Sequence, residues 1–124
     1  MSGNRLVVDT NIILYFLKGD PEVVEMIADK DIIISVITEL ELLSFPKITL
    51  ESEKAIKGLL NNFLIINLTQ EIKELTIEFR KKYKLKLPDS IIAASAYYHK
   101  TPLLTSDKAF QKLDELNIII YEFE

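Results

Sequence analysis

The sequence predicts an α/β fold, a doubly wound and mostly parallel sheet of about five short strands flanked by helices. Two observations predict it. Short apolar runs alternate along the chain with longer segments of helical periodicity, as in parallel strands joined by helices. The 124 residues, 48% of them hydrophobic, are enough for one domain with a substantial core. We therefore expect a single domain over residues 1–124.

The predicted strands are apolar runs that end at polar or turn residues. In chain order they cover residues 6–8, 32–34, 63–66, 103–104 and 117–121. Helical periodicity between them predicts helices over residues 12–17, 21–29, 35–44, 49–62 and 107–116. Two further helices are predicted, one that runs from residue 69 to a lysine-rich segment and one that begins at residues 87–89. Pro21 suits the first position of its helix, and Thr69 suits an N-cap.

The spacing of apolar residues also predicts which side of each helix faces the core. In the second helix these residues are Val23, Val24, Ile27 and Ala28, and in the fourth they are Leu50, Ala55, Ile56, Leu59 and Leu60. The helix that begins at Leu87-Pro88-Asp89 is apolar on almost every side, which predicts that it is buried.

Composition excludes several classes of function. The chain has no cysteine, which excludes disulfides, thiolate zinc sites and cysteine nucleophiles. Its one histidine, His99, excludes ribonuclease chemistry that needs two imidazoles. The apolar runs are too short to span a membrane, and the first strand begins too early for a signal peptide. We therefore expect a cytoplasmic protein with no membrane association.

Four carboxylates stand where apolar runs break off or helices begin. They are Asp9, Glu41, Asp89 and Asp107, here called the four acids. In a parallel sheet the carboxyl ends of the strands and the starts of the following helices share one edge, where ligand sites form. Four acids gathered there would repel one another unless a cation neutralised them, and oxygen ligands suit Mg²⁺ or Mn²⁺. The sequence therefore predicts a metal site.

Each acid taken alone also has a structural explanation. Asp9, Asp89 and Asp107 all fit N-caps or helix openings. Thr38-x-x-Glu41 fits a capping box, in which the two side chains satisfy backbone groups at a helix start. Glu39 lies roughly 200° from Glu41 around a helix, so helical spacing alone does not decide which of the two faces the site.

The acids lie within motifs that follow one another in order. The motifs are Val7-Val8-Asp9-Thr10-Asn11-Ile12-Ile13-Leu14-Tyr15-Phe16-Leu17-Lys18-Gly19, Ile34-Ser35-Val36-Ile37-Thr38 with Glu41-Leu42-Leu43, Leu87-Pro88-Asp89-Ser90-Ile91-Ile92-Ala93-Ala94, and Leu104-Thr105-Ser106-Asp107-Lys108 with Phe110. Over essentially the whole chain they resemble PIN-domain ribonucleases of the VapC toxin type. The first and third motifs are specific, and the second and fourth are weaker.

The resemblance implies how the acids divide their roles. The family's glutamate stands three residues after the threonine, which selects Glu41 over Glu39. Asp9 and Asp89 are expected to hold Mg²⁺ or Mn²⁺ directly, with Glu41 and Asp107 acting through water or completing a second site. Glu41 is the candidate that orients or deprotonates the attacking water. Many relatives carry an aspartate where this chain has Ala109, which leaves Asp107 as the acid available in the fourth motif.

The sequence also predicts which polar residues support the acids, and the resemblance implies the substrate and the partners of the protein. Thr10, Asn11 and Thr105 suit hydrogen bonds to the ligands or to phosphate. The resemblance implies hydrolysis of RNA by in-line attack that leaves a 5′-phosphate. It also implies a homodimer and a cognate antitoxin protein that blocks the site.

A cluster of basic residues leads directly into the third motif. Residues 80–86, here called the basic segment, hold five of the 15 basic residues, and the rest of the chain has a net charge of −9 within a total of −4. The segment fits either the solvated end of a helix or a path for an RNA backbone. In the second interpretation the candidate phosphate contacts are Arg80, Lys82, Lys84 and Lys86.

Two other classes of function need residues that this chain lacks. A phosphoacceptor receiver domain needs an aspartate after the third strand, where Asn67 and Leu68 stand. An aspartate-nucleophile phosphatase needs a second aspartate at position 11, which is Asn11. A PIN nuclease in RNA processing, a catalytically inactive PIN binding module and a DNA-directed nuclease stay open, although retention of all four acids argues against the inactive module.

Overall fold

The computed structural model describes residues 4–122. The strands are β1 (Arg5–Val8), β2 (Asp31–Ser35), β3 (Leu64–Ile66), β4 (Leu103–Thr105) and β5 (Ile118–Ile120). The α-helices are α1 (Thr10–Leu17), α2 (Pro21–Ile27), α3 (Val36–Leu43), α4 (Leu50–Leu60), α5 (Gln70–Tyr83) and α6 (Leu87–Tyr98), and a 3₁₀ helix covers Lys108–Lys112.

All five strands are parallel, in the order β3-β2-β1-β4-β5. The predicted α/β fold with five short strands flanked by helices is confirmed. The chain moves outward from β1 to β3 on one side and then returns to place β4 on the other side of β1. The carboxyl ends of β1 and β4 therefore border the point where the strand order reverses, and ligands bind at such a point in open parallel sheets.

Helices cover both faces of the sheet, and successive strand residues face opposite cores. In β1, Leu6 and Val8 join a core with α1, α2 and α4, whereas Val7 joins a core with α5, α6 and the 3₁₀ helix. Residues of β2 divide in the same way, with Ile33 on the second side. Burial on both faces explains why these strands are continuous apolar runs.

Helix α6 is buried along most of its length, as its composition predicts. Every residue from Ser90 to Ala96 is buried. The small side chains of Ala93, Ala94 and Ala96 let the helix pack closely in the second core. The acid in its first turn, Asp89, lies near Asp9 and Asp107, which follow β1 and β4. Within residues 4–122, no helix is both long enough and apolar enough to cross a membrane.

Several predicted core positions are wrong. Val24 and Leu50 are 39% and 70% exposed, and Ala28 and Ala55 are exposed as well. Helix α2 ends at Ile27, so Ala28 is already in extended backbone. In α4 the core side is set by Ile56 and Leu60, and Leu50 lies roughly 240° around the helix from Ile56. The last predicted helix is also shorter than residues 107–116, because only its 3₁₀ turn over Lys108–Lys112 forms.

Candidate active site

The four acids border one cavity at the carboxyl edge of the sheet. The cavity has a volume of about 400 Å³, and Thr10, Asn11 and Leu14 also line it. Asp9 follows β1, Glu41 lies in α3 after β2, Asp89 lies in α6, and Asp107 follows β4. Residues far apart in the sequence are thus brought together. We call this space the acid cavity.

Asp9 is the most buried of the four acids, with 6% of its surface exposed. It is the N-cap of α1, as its structural explanation predicted, and its Oδ1 accepts from the Thr10 backbone N–H at 2.6 Å. Its Oδ2 accepts from the Thr105 hydroxyl at 2.6 Å. Burial raises the pKa of Asp9, the two hydrogen bonds lower it, and the nearby Asp107 and Glu41 raise it further.

Glu41, and not Glu39, lines the acid cavity. The Thr10 hydroxyl is 2.6 Å from the Glu41 Oε1, a hydrogen bond between α1 and α3. The alternative that Thr38 and Glu41 form a capping box is wrong, because Ser35 is the N-cap of α3 and its side chain accepts from the Ile37 N–H. Glu41 is therefore well inside its helix and its carboxylate faces the cavity.

Asp89 occupies the third position of α6. The alternative that it caps this helix is wrong, because the N-cap is Lys86 and no side-chain cap is formed. Burial and the charges of Asp9 and Asp107 raise the pKa of Asp89 to about 6, while Lys86 acts in the opposite direction. Ionisation of the Asp89 carboxylate therefore costs free energy in the folded, metal-free protein.

Asp107 has both a capping contact and a place in the acid cavity. Its Oδ1 accepts from the Ala109 N–H at 2.9 Å and caps the 3₁₀ helix, as its structural explanation predicted. Its own N–H donates to the Thr105 hydroxyl oxygen at 3.0 Å. Thr105 therefore connects Asp107 to Asp9, and both acids line the same cavity.

The donor chemistry of the acid cavity fits Mg²⁺ or Mn²⁺, which prefer oxygen ligands. Across residues 4–122, no three acidic or histidine side chains are close enough together to hold one ion. Mg²⁺ usually keeps several waters and is held by one or two carboxylates, so this spacing is compatible with direct binding by two acids. Burial is the main cause of the raised pKa of Asp89, and the charges of Asp9 and Asp107 add a repulsion that a divalent cation would relieve.

The predicted polar neighbours lie at the site: Thr10 contacts Glu41, and Thr105 contacts Asp9. Asn11 lines the acid cavity. One residue was assigned wrongly from the sequence. The capping-box assignment of Thr38 is wrong, because its Oγ1 is 3.1 Å from the Thr10 Oγ1 and its side chain is fully buried. The signal available in the sequence was its position one helical turn before Glu41.

The basic segment joins α5 to α6, and its members differ in their surroundings. The Lys82 ammonium pairs with the Glu115 carboxylate at 3.0 Å, and the Tyr83 hydroxyl donates to the same carboxylate. Glu115 lies just before the amino end of β5, whereas the acid cavity is at the carboxyl ends of the strands. The two are therefore at opposite edges of the parallel sheet. Lys86 is near enough to Asp89 to lower its pKa. The structure thus directs Lys82 away from the acids and places Lys86 beside them.

Comparison with known proteins identifies the family. The family model for the PIN domain matches residues 6–116. The chain belongs to the PIN-domain family. This result confirms the resemblance drawn from the four motifs, and PIN domains are a family of nucleases. None of the curated proteins matches the chain.

Solved structures of toxin–antitoxin complexes contain chains with the same fold. A toxin–antitoxin complex from Klebsiella pneumoniae contains a chain that is 32% identical, with a TM-score of 0.84 and coverage of 95% of this chain and 99% of that one. VapBC2 from Rickettsia felis, bound to a DNA fragment from its promoter, is 21% identical with a TM-score of 0.81, covering 95% and 99%. VapBC-1 from nontypeable Haemophilus influenzae is 23% identical with a TM-score of 0.78, covering 94% and 97%.

Proposed function

We propose that this PIN-domain protein is a Mg²⁺- or Mn²⁺-dependent endoribonuclease that acts in the cytoplasm as the toxin of a toxin–antitoxin pair. One observation carries the enzymatic part of the proposal. Four carboxylates from separate elements border one cavity at the strand-order reversal, and burial together with the charges of Asp9 and Asp107 raises the pKa of Asp89 to about 6. Such a concentration of negative charge costs stability, and a bound divalent cation offsets that cost.

In this proposal the four acids have distinct tasks. Asp9 and Asp89 hold the cation directly, and Glu41 and Asp107 act through water or complete a second site. The cation, when bound, stabilises negative charge on the phosphate oxygens and lowers the pKa of water. Glu41 orients the attacking water and accepts its proton, with its own carboxylate held by the Thr10 hydroxyl. Thr105 keeps Asp9 in position, and Asn11 lies where it can donate to phosphate.

The RNA backbone in this proposal approaches along the basic segment. Lys86 is the N-cap of α6, the helix whose first turn carries Asp89. Lys84 is exposed and precedes Lys86 by two residues. Arg80 is exposed in the last turn of α5. Lys82 was a candidate on the same grounds, and its ion pair with Glu115 makes it the weakest of the four.

The proposed partners are a cognate antitoxin and a second copy of the chain. Support comes from the Klebsiella pneumoniae structure, a toxin–antitoxin complex whose matching chain is 32% identical. Genomic context tests this part: a gene for a small DNA-binding protein directly upstream supports the toxin, and its absence favours a PIN nuclease of RNA processing.

The enzymatic part is tested by cleavage of a single-stranded RNA in Mg²⁺ and in EDTA. We expect the wild-type protein to cleave the RNA in Mg²⁺ and not in EDTA. We expect no cleavage by the Asp89→Asn variant, which keeps the shape of the side chain and removes its charge. Asp114→Asn is the matched control, because the same change is made at an exposed acid outside the acid cavity. Wild-type rates from Asp89→Asn would refute the site, and a folded wild-type protein that binds RNA without cleaving it would support the inactive binding module.

A further inference from the structure

A buried threonine stands behind the contact between Thr10 and Glu41. Thr38 lies in the first turn of α3 and its side chain is fully buried. Its Oγ1 is 3.1 Å from the Thr10 Oγ1, and it is not among the residues that line the acid cavity. Thr38 therefore touches neither substrate nor cation, and any effect it has on the site must pass through Thr10.

The directions of the two hydrogen bonds follow from the number of protons available. Thr10 has one hydroxyl proton, and an ionised carboxylate can only accept. At the 2.6 Å separation, Thr10 therefore donates to the Glu41 Oε1. Its oxygen is then left to accept the proton of Thr38 at 3.1 Å. The three groups form a chain from Thr38 through Thr10 to Glu41, in which each bond polarises the next.

Thr10 also connects to a second acid. Its backbone N–H donates to the Asp9 Oδ1 at 2.6 Å, so one residue contacts both Asp9 and Glu41. Because Thr10 opens α1 and Thr38 lies in α3, their contact ties together the two helices that carry these carboxylates. The Thr10 hydroxyl contacts the Glu41 carboxylate on the cavity side and the Thr38 hydroxyl on the buried side.

We propose that Thr38 is a positioning residue that orients the Glu41 carboxylate through the Thr10 hydroxyl. The inference rests on the proposed function, because it assigns Thr38 to the metal-dependent site of that proposal. A competing explanation is that Thr38 only fills space between α1 and α3. Two substitutions separate these explanations, since valine keeps the shape and removes the hydroxyl, whereas serine keeps the hydroxyl and removes a methyl group.

The test measures Mn²⁺ affinity by calorimetry, single-turnover RNA cleavage and Tm for each variant. Loss of a group that orients a metal ligand typically costs about 10-fold in affinity or activity. We expect Thr38→Val to lose about 10-fold in both, with a Tm close to that of the wild type. Thr38→Ser is expected to keep both within about twofold, even where the missing methyl group lowers its Tm.

Thr76→Val is the matched control. Thr76 is also buried, and its hydroxyl donates to the Ile72 carbonyl oxygen at 2.7 Å within α5. The same chemical change there is expected to leave Mn²⁺ affinity unchanged. Should Thr38→Val bind Mn²⁺ and cleave as the wild type does, or should Thr38→Ser lose as much as Thr38→Val, the positioning role is overturned. A wild-type protein that neither binds Mn²⁺ nor cleaves RNA overturns the proposed function instead.

Discussion

Replacing Asp89 by asparagine should stabilise the metal-free protein at neutral pH. Its pKa is about 6 in the folded protein, against an ordinary value of 3.8. The folded state therefore binds more protons than the unfolded state between these values, and stability falls as the pH rises through this window. Above about pH 7 the carboxylate is ionised in both states and the penalty on the folded state is complete.

The size of the effect follows from the pKa difference. About two pKa units correspond to about 3 kcal/mol, which solvent screening of a half-buried group reduces to about 1–2 kcal/mol. Asparagine also gives up a favourable charge near the start of α6, worth about 0.5 kcal/mol. The net gain of about 1 kcal/mol predicts a Tm higher by about 3–5 °C for a chain of this size.

The assay is thermal unfolding in EDTA at about pH 7.5 and about pH 5, with Mg²⁺ added in a second series. The gain in Tm should be present at the higher pH and shrink at the lower one, where Asp89 is largely protonated. Added Mg²⁺ should raise the Tm of the wild type more than that of the variant. Glu71→Gln serves as control, because Glu71 is an exposed acid in the first turn of α5. If the Tm of Asp89→Asn is not above that of the wild type at neutral pH, or exceeds it equally at both pH values, the role given to the raised pKa of Asp89 is refuted.

Two further predictions concern activity and RNA binding. Glu41→Gln should lower cleavage by about 100-fold or more, and Glu39→Gln should change it little, because only Glu41 lines the acid cavity; equal activities would remove Glu41 from the mechanism. Replacing Lys84 and Lys86 by glutamine should make the salt dependence of RNA binding shallower by about 1.4, whereas Lys82→Gln should have a smaller effect because its ammonium is paired with Glu115. An unchanged slope in the double variant would leave these lysines as a solvated helix end.

The sequence was sufficient for the fold because strand burial and helix periodicity are local patterns. All five strands appear where apolar runs predicted them, and the buried α6 follows from its composition. Predictions failed where a helix side is chosen by long-range packing. Leu50 and Val24 are as apolar as their buried neighbours, and only the position of the sheet beneath α4 and α2 decides which side is covered.

The same distinction applies to the acid cavity. Topology alone brings the four acids to one sheet edge, so their meeting could be predicted from their places at strand ends and helix starts. The hydrogen bonds among them could not, because they depend on side-chain rotamers. Thr38 fits a capping box by spacing, yet the helix begins at Ser35 and Thr38 turns inward to Thr10. Lys82 likewise looks equivalent to Lys86 until Glu115 is seen beside it.

The bond between Thr105 and Asp9 joins residues 96 positions apart in the chain. During synthesis on a ribosome, Asp9 emerges before β4, Thr105 and Asp107, which follow it in the chain. Until β4 and the residues after it have emerged, Asp9 lacks its hydroxyl donor, Thr105, and its neighbouring carboxylate, Asp107. A chain that stops before β4 therefore carries an incomplete acid cavity.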